Sequence, residues 1–424
     1  MSARDFGPDA ARALGGPRWL QARRLAAAER FASASLPSTE EEVWRYSRIA
    51  DLDLDRYVPA PPSGDGVGAE VTPALLDATA RAGLVIVRDG VVAHVDLDRA
   101  AADAGLYVGR LVDHPEAASL LGCVLTDSGD VFAGMNDAFA ADPVAVVVPR
   151  GVRIDKPVVV VQHVSGSGIA VFPRLVVRAG EDGGISVLEH QQSGDGDVFI
   201  APVVELHAHP AARLAYANVQ QLGRQSWQVA SHLASGASAS EVVMSAAGLG
   251  GEYARVRTDC RLDGRGATGS LASLYFGDED QTLDFRTFQD HAAPDTTSNL
   301  LFKGVVADRS KSVYTGLIRV RKEARGTNAF QTNRNIKLSD DAWAESVPNL
   351  EIENNEVRCS HASAVGPIDE DQRFYLESRG VPPHVAERLI VAGFFADVLG
   401  QFAVPAAAAA LRASIAEKLD RRGV

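Results

Sequence analysis

From about Pro143 to Ile368 the chain is a long succession of short β-like runs, broken by Gly, Asp, Asn or Ser and almost free of helical periodicity. The runs 144–148, 158–162, 175–177, 185–188, 203–206, 213–219, 242–245, 271–276, 313–320 and 329–338 are of this kind. Turn clusters such as Gly180-Glu181-Asp182-Gly183-Gly184 and Ser193-Gly194-Asp195-Gly196 stand between them. Strands recurring this often between turn residues specify an all-β domain. A sandwich, a barrel and a solenoid all satisfy the pattern. Its length without a helical break favours stacked rungs of a β-helix, and the lack of a strict repeat motif makes those rungs irregular.

The flanks read differently. Along 17–31, Pro17 starts a helix that places Trp19, Leu20, Leu25, Ala28 and Phe31 among arginines, an amphipathic pattern. At 37–46, Ser38 or Thr39 supplies a helix cap before the acidic turn Glu40-Glu41-Glu42. The Pro, Gly and Ser content of 60–68 predicts a flexible connection. After Gly366-Pro367, acids at Asp369-Glu370-Asp371 open a helix that ends near Gly380. Pro382-Pro383 opens a second, in which Ala386, Leu389, Ile390, Gly393, Phe394 and Val398 recur at three- and four-residue spacing, and an alanine-rich third closes the chain. The expected division is a helical or mixed region over 1–142, a β core over 143–366 and a small helical domain over 367–424.

Charge and composition narrow the function. A formal net charge of −13 opposes phosphate binding, and no Lys/Arg stripe overrides it, so nucleic acid is an unfavourable partner. The valine runs are strand-sized and far short of a membrane span, and residues 1–16 lack a signal pattern, so a soluble cytoplasmic chain is expected. Three scattered cysteines, Cys123, Cys260 and Cys359, cannot form a disulfide framework.

Enzymatic signatures are missing: there is no phosphate loop, no His-Glu-x-x-His, no Cys-x-x-Cys and no nucleophile elbow with convincing partners. Gly248-Leu249-Gly250-Gly251 reads as a turn, since it lacks dinucleotide-fingerprint spacing. His207 and His209 alternate in a strand-like run and could share one face as a metal pair, although a solvated or rung-packed pair is the favoured reading. His190, His232 and His384 read as packing residues. Cys359-Ser360-His361 differs: a thiol and an imidazole two residues apart on extended chain project to one side, close enough to ligate one soft or borderline metal. Two ligands cannot complete a tetrahedral site, so further ligands must come from elsewhere in the fold or from a partner.

The order Gln331-Thr332-Asn333-Arg334-Asn335-Ile336-Lys337-Leu338-Ser339, Ser346-Val347-Pro348-Asn349-Leu350-Glu351-Ile352, Val357-Arg358-Cys359-Ser360-His361, then Phe374-Tyr375-Leu376 and Ser378-Arg379-Gly380, closely resembles the C-terminal signature of the SufB/SufD family of Fe–S assembly scaffolds. His291-Ala292-Ala293-Pro294-Asp295-Thr296-Thr297-Ser298 resembles that family's His-x-x-Pro-x-Thr-x-Ser stretch, and 36–46 its N-terminal helical region. The Cys-Ser-His form and the absence of a cysteine before Cys123 fit the SufD branch.

The resemblance implies a mainly β fold, an irregular right-handed parallel β-helix core flanked by N-terminal and C-terminal helical domains. It also implies a non-catalytic scaffold that pairs with a homologous SufB-like subunit and binds a SufC-like ABC ATPase through its C-terminal helices. A transient iron–sulfur cluster shared with SufB would form at the subunit interface, with none stably bound by the chain alone. His361 matches the family's histidine there and Cys359 its cysteine, whose necessity stays open, as does a homodimer of the isolated chain. Phe374, Leu389, Phe394 and Phe395 are the expected ATPase-contacting residues, because they supply more apolar surface than short helices bury between themselves. The competing readings are a structural β-solenoid without chemistry and a carbohydrate-active β-helix enzyme.

Overall fold

The computed structural model describes residues 5–61, 80–125 and 130–421. Its strands alternate between two sheets, so that each pairs with strands one full circuit before and after it. The first sheet runs from Tyr107–Arg110 through Val144–Val148, Arg174–Ala179, Val203–Ala208, Ser226–Gly236, Tyr253–Leu262, Thr282–His291 and Lys311–Val320 to Trp343–Ile352. The second runs from Val91–Leu97 through Gly83–Arg88, Val158–Val164, Gly184–Ser193, Arg213–Gln221, Glu241–Gly248, Thr268–Gly277, Thr297–Val306 and Asn328–Lys337 to Arg358–Pro367. The pairing is parallel except at the N-terminal end, and the core is a parallel β-solenoid.

One circuit takes 26 residues at its shortest, Trp227 to Tyr253, and 32 at its longest, Lys311 to Trp343. The corners keep the circuits in step. Asp182, Ala211, Ala239, Gly266, Asp295 and Gly326 occupy equivalent corners, all with positive φ between 53° and 74°. Each corner amide reaches the next circuit: Ala211 N–H donates to Ser238 O at 2.9 Å, Ala239 to Arg265 O at 2.9 Å, and Asp295 to Arg325 O at 2.8 Å. The requirement is a left-handed backbone, which Gly meets freely and Asp tolerates, so no residue motif marks the repeat. At Gly250 the demand is closeness instead: a Cβ there would stand 2.1 Å from Leu222 O of the preceding corner.

Inward side chains of the two sheets, including Val146, Val160, Leu206, Tyr216, Phe285 and Phe302, form the main core. Helices cover both outer faces. The helix Arg18–Ser33, with Pro17 as N-cap, lays Leu20, Ala27, Ala28 and Phe31 towards the first sheet. There Phe6, Phe31, Trp44, Phe132, Phe139, Phe172 and Phe199 form an aromatic layer. The helix expected at 37–46 shortens to a single 3-10 turn, Glu42–Trp44. Its N-cap is Glu41, with no side-chain cap bond, rather than Ser38 or Thr39, and Ser38 N–H donates to Glu41 Oε1 at 3.0 Å upstream of the turn. Trp44, however, is drawn under the Arg255 guanidinium, 4.1 Å from its ring, and burial there ends the helix. Residues 62–68 of the expected connection lie outside the described residues.

The second sheet is covered by the helices Pro383–Gly400 and Ala407–Arg421, whose Val391, Phe395, Val398, Leu411 and Ile415 pack on Leu188, Val219, Leu274 and Phe276. The preceding helix, Glu370–Ser378, is capped by Asp369, whose Oδ1 accepts from Asp371 and Gln372 N–H, and buries no residue. No described helix is long and apolar enough to cross a membrane.

Candidate functional site at the open end

The chemistry-bearing residues gather at the last circuit. Arg358–Pro367 pairs with Asn328–Lys337 so that Cys359 stands beside Ala329, His361 beside Gln331 and Ser363 beside Asn333. Ala329, Gln331 and Asn333 are buried and face the lumen between the sheets, and register partners share a face, so Cys359, His361 and Ser363 face it too. Ser363 Oγ donates to Ser346 Oγ of the opposite sheet at 2.7 Å, closing the lumen there. No residue of either terminal strand is fully buried.

Cys359 is half-buried against Ile318, Val320, Ala329 and Leu350. Desolvation pushes its thiol pKa up, so it is protonated near neutrality and must lose its proton to bind a metal. His361, two residues along the same face, is exposed. Among the described residues no group of three or more His, Cys, Asp or Glu is arranged to hold a metal ion. Cys359 and His361 therefore form at most half of a coordination sphere at an open mouth.

The histidine motif upstream has a structural explanation. His291 is buried, one ring nitrogen bonding Thr296 Oγ1 at 2.8 Å and the other Ser298 Oγ at 2.9 Å, and burial brings its pKa down to about 4. It locks a corner. The His207 and His209 rings lie 4.5 Å apart, both half-buried beside Arg178, and burial lowers the pKa of each.

The C-terminal residues separate into two groups. Phe374 is 72% exposed and Leu389 52%. Leu389 lines a groove of about 1030 Å³ together with Ile336, Val365, Tyr375, Gly393 and Phe394. Phe394 is half-buried, its ring 4.5 Å from Lys303 Nζ. Phe395 corrects the expectation: it is 0% exposed and belongs to the layer on the second sheet, because its helix turns this position inward.

Sequence reasoning missed the two lysines that peg these helices down. Lys303 Nζ donates to Phe394 O and bonds Asp397 Oδ1, both at 2.7 Å. Lys418 Nζ, almost fully buried, donates to Leu249 O at 2.8 Å, Asp278 Oδ1 at 2.7 Å and Gln281 Oε1 at 2.9 Å. Burial drives its pKa down to about 8 against the pull of Asp278. No signal in the sequence distinguishes either from a surface lysine.

A profile of the SufBD core domain, of the SUF system for FeS cluster assembly, matches residues 162–394. The chain belongs to the SufBD family. An iron–sulfur cluster assembly SufBD family protein of Mycobacterium tuberculosis is 36% identical over 310 residues, 70% of this chain and 76% of that protein. The iron–sulfur cluster assembly protein SufD of Escherichia coli is 27% identical over 377 residues, 86% of this chain and 84% of that protein. A chloroplastic protein of Arabidopsis thaliana, ABCI7, is 27% identical over 400 residues, 90% of this chain and 82% of that protein. As a SufBD family member the chain is an iron–sulfur cluster assembly protein.

Proposed function

We propose that this SufBD protein is a SufD-like, non-catalytic scaffold subunit of a cytoplasmic complex. In it the open end pairs with a homologous SufB-like subunit and the C-terminal helices bind a SufC-like ABC ATPase. The observation that carries this reading is the last circuit, whose lumen mouth displays Cys359 and His361 with no third ligand grouped with them among the described residues. A partner's residues complete the sphere, and the cluster is cargo built between the two subunits rather than a resident group.

The chain's own part is to orient. Strand alternation holds the thiol and the imidazole on one face, and the half-buried pocket keeps Cys359 protonated until a cation displaces the proton. ATP-driven change comes from the partner and reaches this chain through the exposed Phe374 and the groove that Leu389 lines.

The test is co-expression with the two partners. Truncation after Gly366 is unsuitable, because it would strip the helices that cover Leu188, Val219 and Leu274. Phe374→Ala together with Leu389→Ala should abolish ATPase capture and leave pairing with the SufB-like subunit intact. Loss of pairing with ATPase capture retained would reverse the assignment of surfaces.

A further inference from the structure

Gln331 is 1% exposed, and neither its carboxamide oxygen nor its nitrogen has a hydrogen-bond partner. The deeper amides of the same strand are bonded. Asn333 Nδ2 donates to Tyr275 Oη at 3.2 Å, Asn335 Nδ2 to Asn333 Oδ1 at 2.7 Å, and Tyr275 Oη to Asn335 Oδ1 at 2.6 Å. Asn328 Oδ1 of this strand is also buried without a partner, but at Gln331, the register partner of His361, both polar atoms of the amide are buried and unbonded.

Its position is built, not accidental. The carboxamide crosses the lumen onto the opposite sheet at Gly316, where a Cβ would stand 2.2 Å from Nε2 and 2.7 Å from Oε1, so any other residue at 316 would evict it. Gly316 pairs with Pro348 of the last strand, and Gln331 with His361. The carboxamide thus forms the floor of the last circuit, one strand beneath the mouth where His361 stands. A methionine of similar volume would suit the surrounding Leu300, Phe302 and Ile318 better than an unpaired amide.

We propose that Gln331 is a positioning residue of the assembly site, its side-chain N–H groups donating to the sulfur of the species held by Cys359 and His361. An amide nitrogen is a poor metal ligand but a good donor to anionic sulfur, and such hydrogen bonds tune iron–sulfur species. The inference rests on the reading that Cys359 and His361 take part in cluster assembly.

Gln331→Met, Gln331→Glu and His361→Ala are compared in the complex co-expressed with both partners, with melting temperature measured on each variant chain alone. Gln331→Met is expected to melt at the same temperature as the parent or higher. Iron and acid-labile sulfide per folded complex should fall roughly tenfold or more, with a shifted visible spectrum for any residual cluster. Gln331→Glu, which keeps size and an acceptor but lacks both N–H donors, should lose cluster as well. Full cluster in Gln331→Glu overturns the donor role. A lowered melting temperature for Gln331→Met with undiminished cluster overturns the proposal by making the amide a purely structural group. If His361→Ala loses cluster while both Gln331 variants keep it, the site reading stands and this inference falls. If His361→Ala also keeps it, the site reading itself falls.

Discussion

The two ends of the solenoid are made of the same kind of strand and finished in opposite ways. At the N-terminal end the pairing turns antiparallel: Val91–Leu97 folds back on Gly83–Arg88, and Tyr107–Arg110 on Val144–Val148. The helix Arg99–Asp103, capped by Asp98, sets Ala101 beside the lumen with Leu106, and Val85, Val108, Val144 and Val146 are sealed. At the C-terminal end the last two strands stay parallel, bury nothing fully and leave Trp343, Ile352 and Val365 exposed. A stacked array needs caps to stop it from recruiting other chains, and an uncovered edge is a template for pairing. The lesson is that capping is selective. The end kept open among the described residues is the one that carries Cys359 and His361.

The largest effect expected from this contrast is on stability. Val146→Asp places a carboxylate in the sealed end and should cost about 4 kcal/mol or more, enough to unfold many domains. Val365→Asp at the open end should cost under about 1 kcal/mol in the isolated chain. Denaturant titration of both checks this, and equal losses would break the comparison.

The C-terminal helices sharpen it next. Phe395→Ala empties a packed position and should cost about 3–5 kcal/mol. Phe374→Ala should cost under about 0.5 kcal/mol, because little of its surface is removed from water. A large loss for Phe374→Ala would mean that its helix packs in solution, not that it waits for a partner.

Acid sensitivity should belong to the sealed interior. Burial alone lowers His232 to about 4, and its ring lies edge-on to Tyr216 inside the lumen. The unfolded imidazole binds its proton near pH 6.5, so between about pH 6.5 and 4 the unfolded chain holds more protons and stability falls as the pH drops. The contribution at pH 4 is on the order of 3 kcal/mol. His232→Leu should flatten the profile in that window, and an unchanged slope would show that His232 is not neutral in the fold.

Much of the solenoid could be read from the sequence. The apolar run 144–148 announces a strand because both its faces are covered, and 313–320 because buried residues alternate with the half-buried Thr315, Leu317 and Arg319. The circuit length could not, since it is fixed by backbone conformation at corners filled by Asp, Ala or Gly alike. Strands such as Ser226–Gly236 and Thr282–His291 are masked by inward polar residues, Gln228, His232 and Gln289, in a lumen that is not purely apolar. At the site, the same-face placement of Cys359 and His361 follows from alternation, whereas their position at an uncapped mouth depends on where the array stops. Phe394 and Phe395 show the limit most simply. Adjacent phenylalanines on one helix look equivalent in sequence, and only the docked face decides that one is buried and the other half-exposed.

His361→Ala is the smallest change in folding terms and the most direct test of the central claim. The side chain is exposed and fills no core volume, so the isolated chain should lose less than about 0.5 kcal/mol and still assemble with both partners. Iron and acid-labile sulfide in the co-expressed complex should nevertheless fall sharply, while Cys359→Ala costs less. A stable His361→Ala complex with undiminished iron and sulfide would contradict the account.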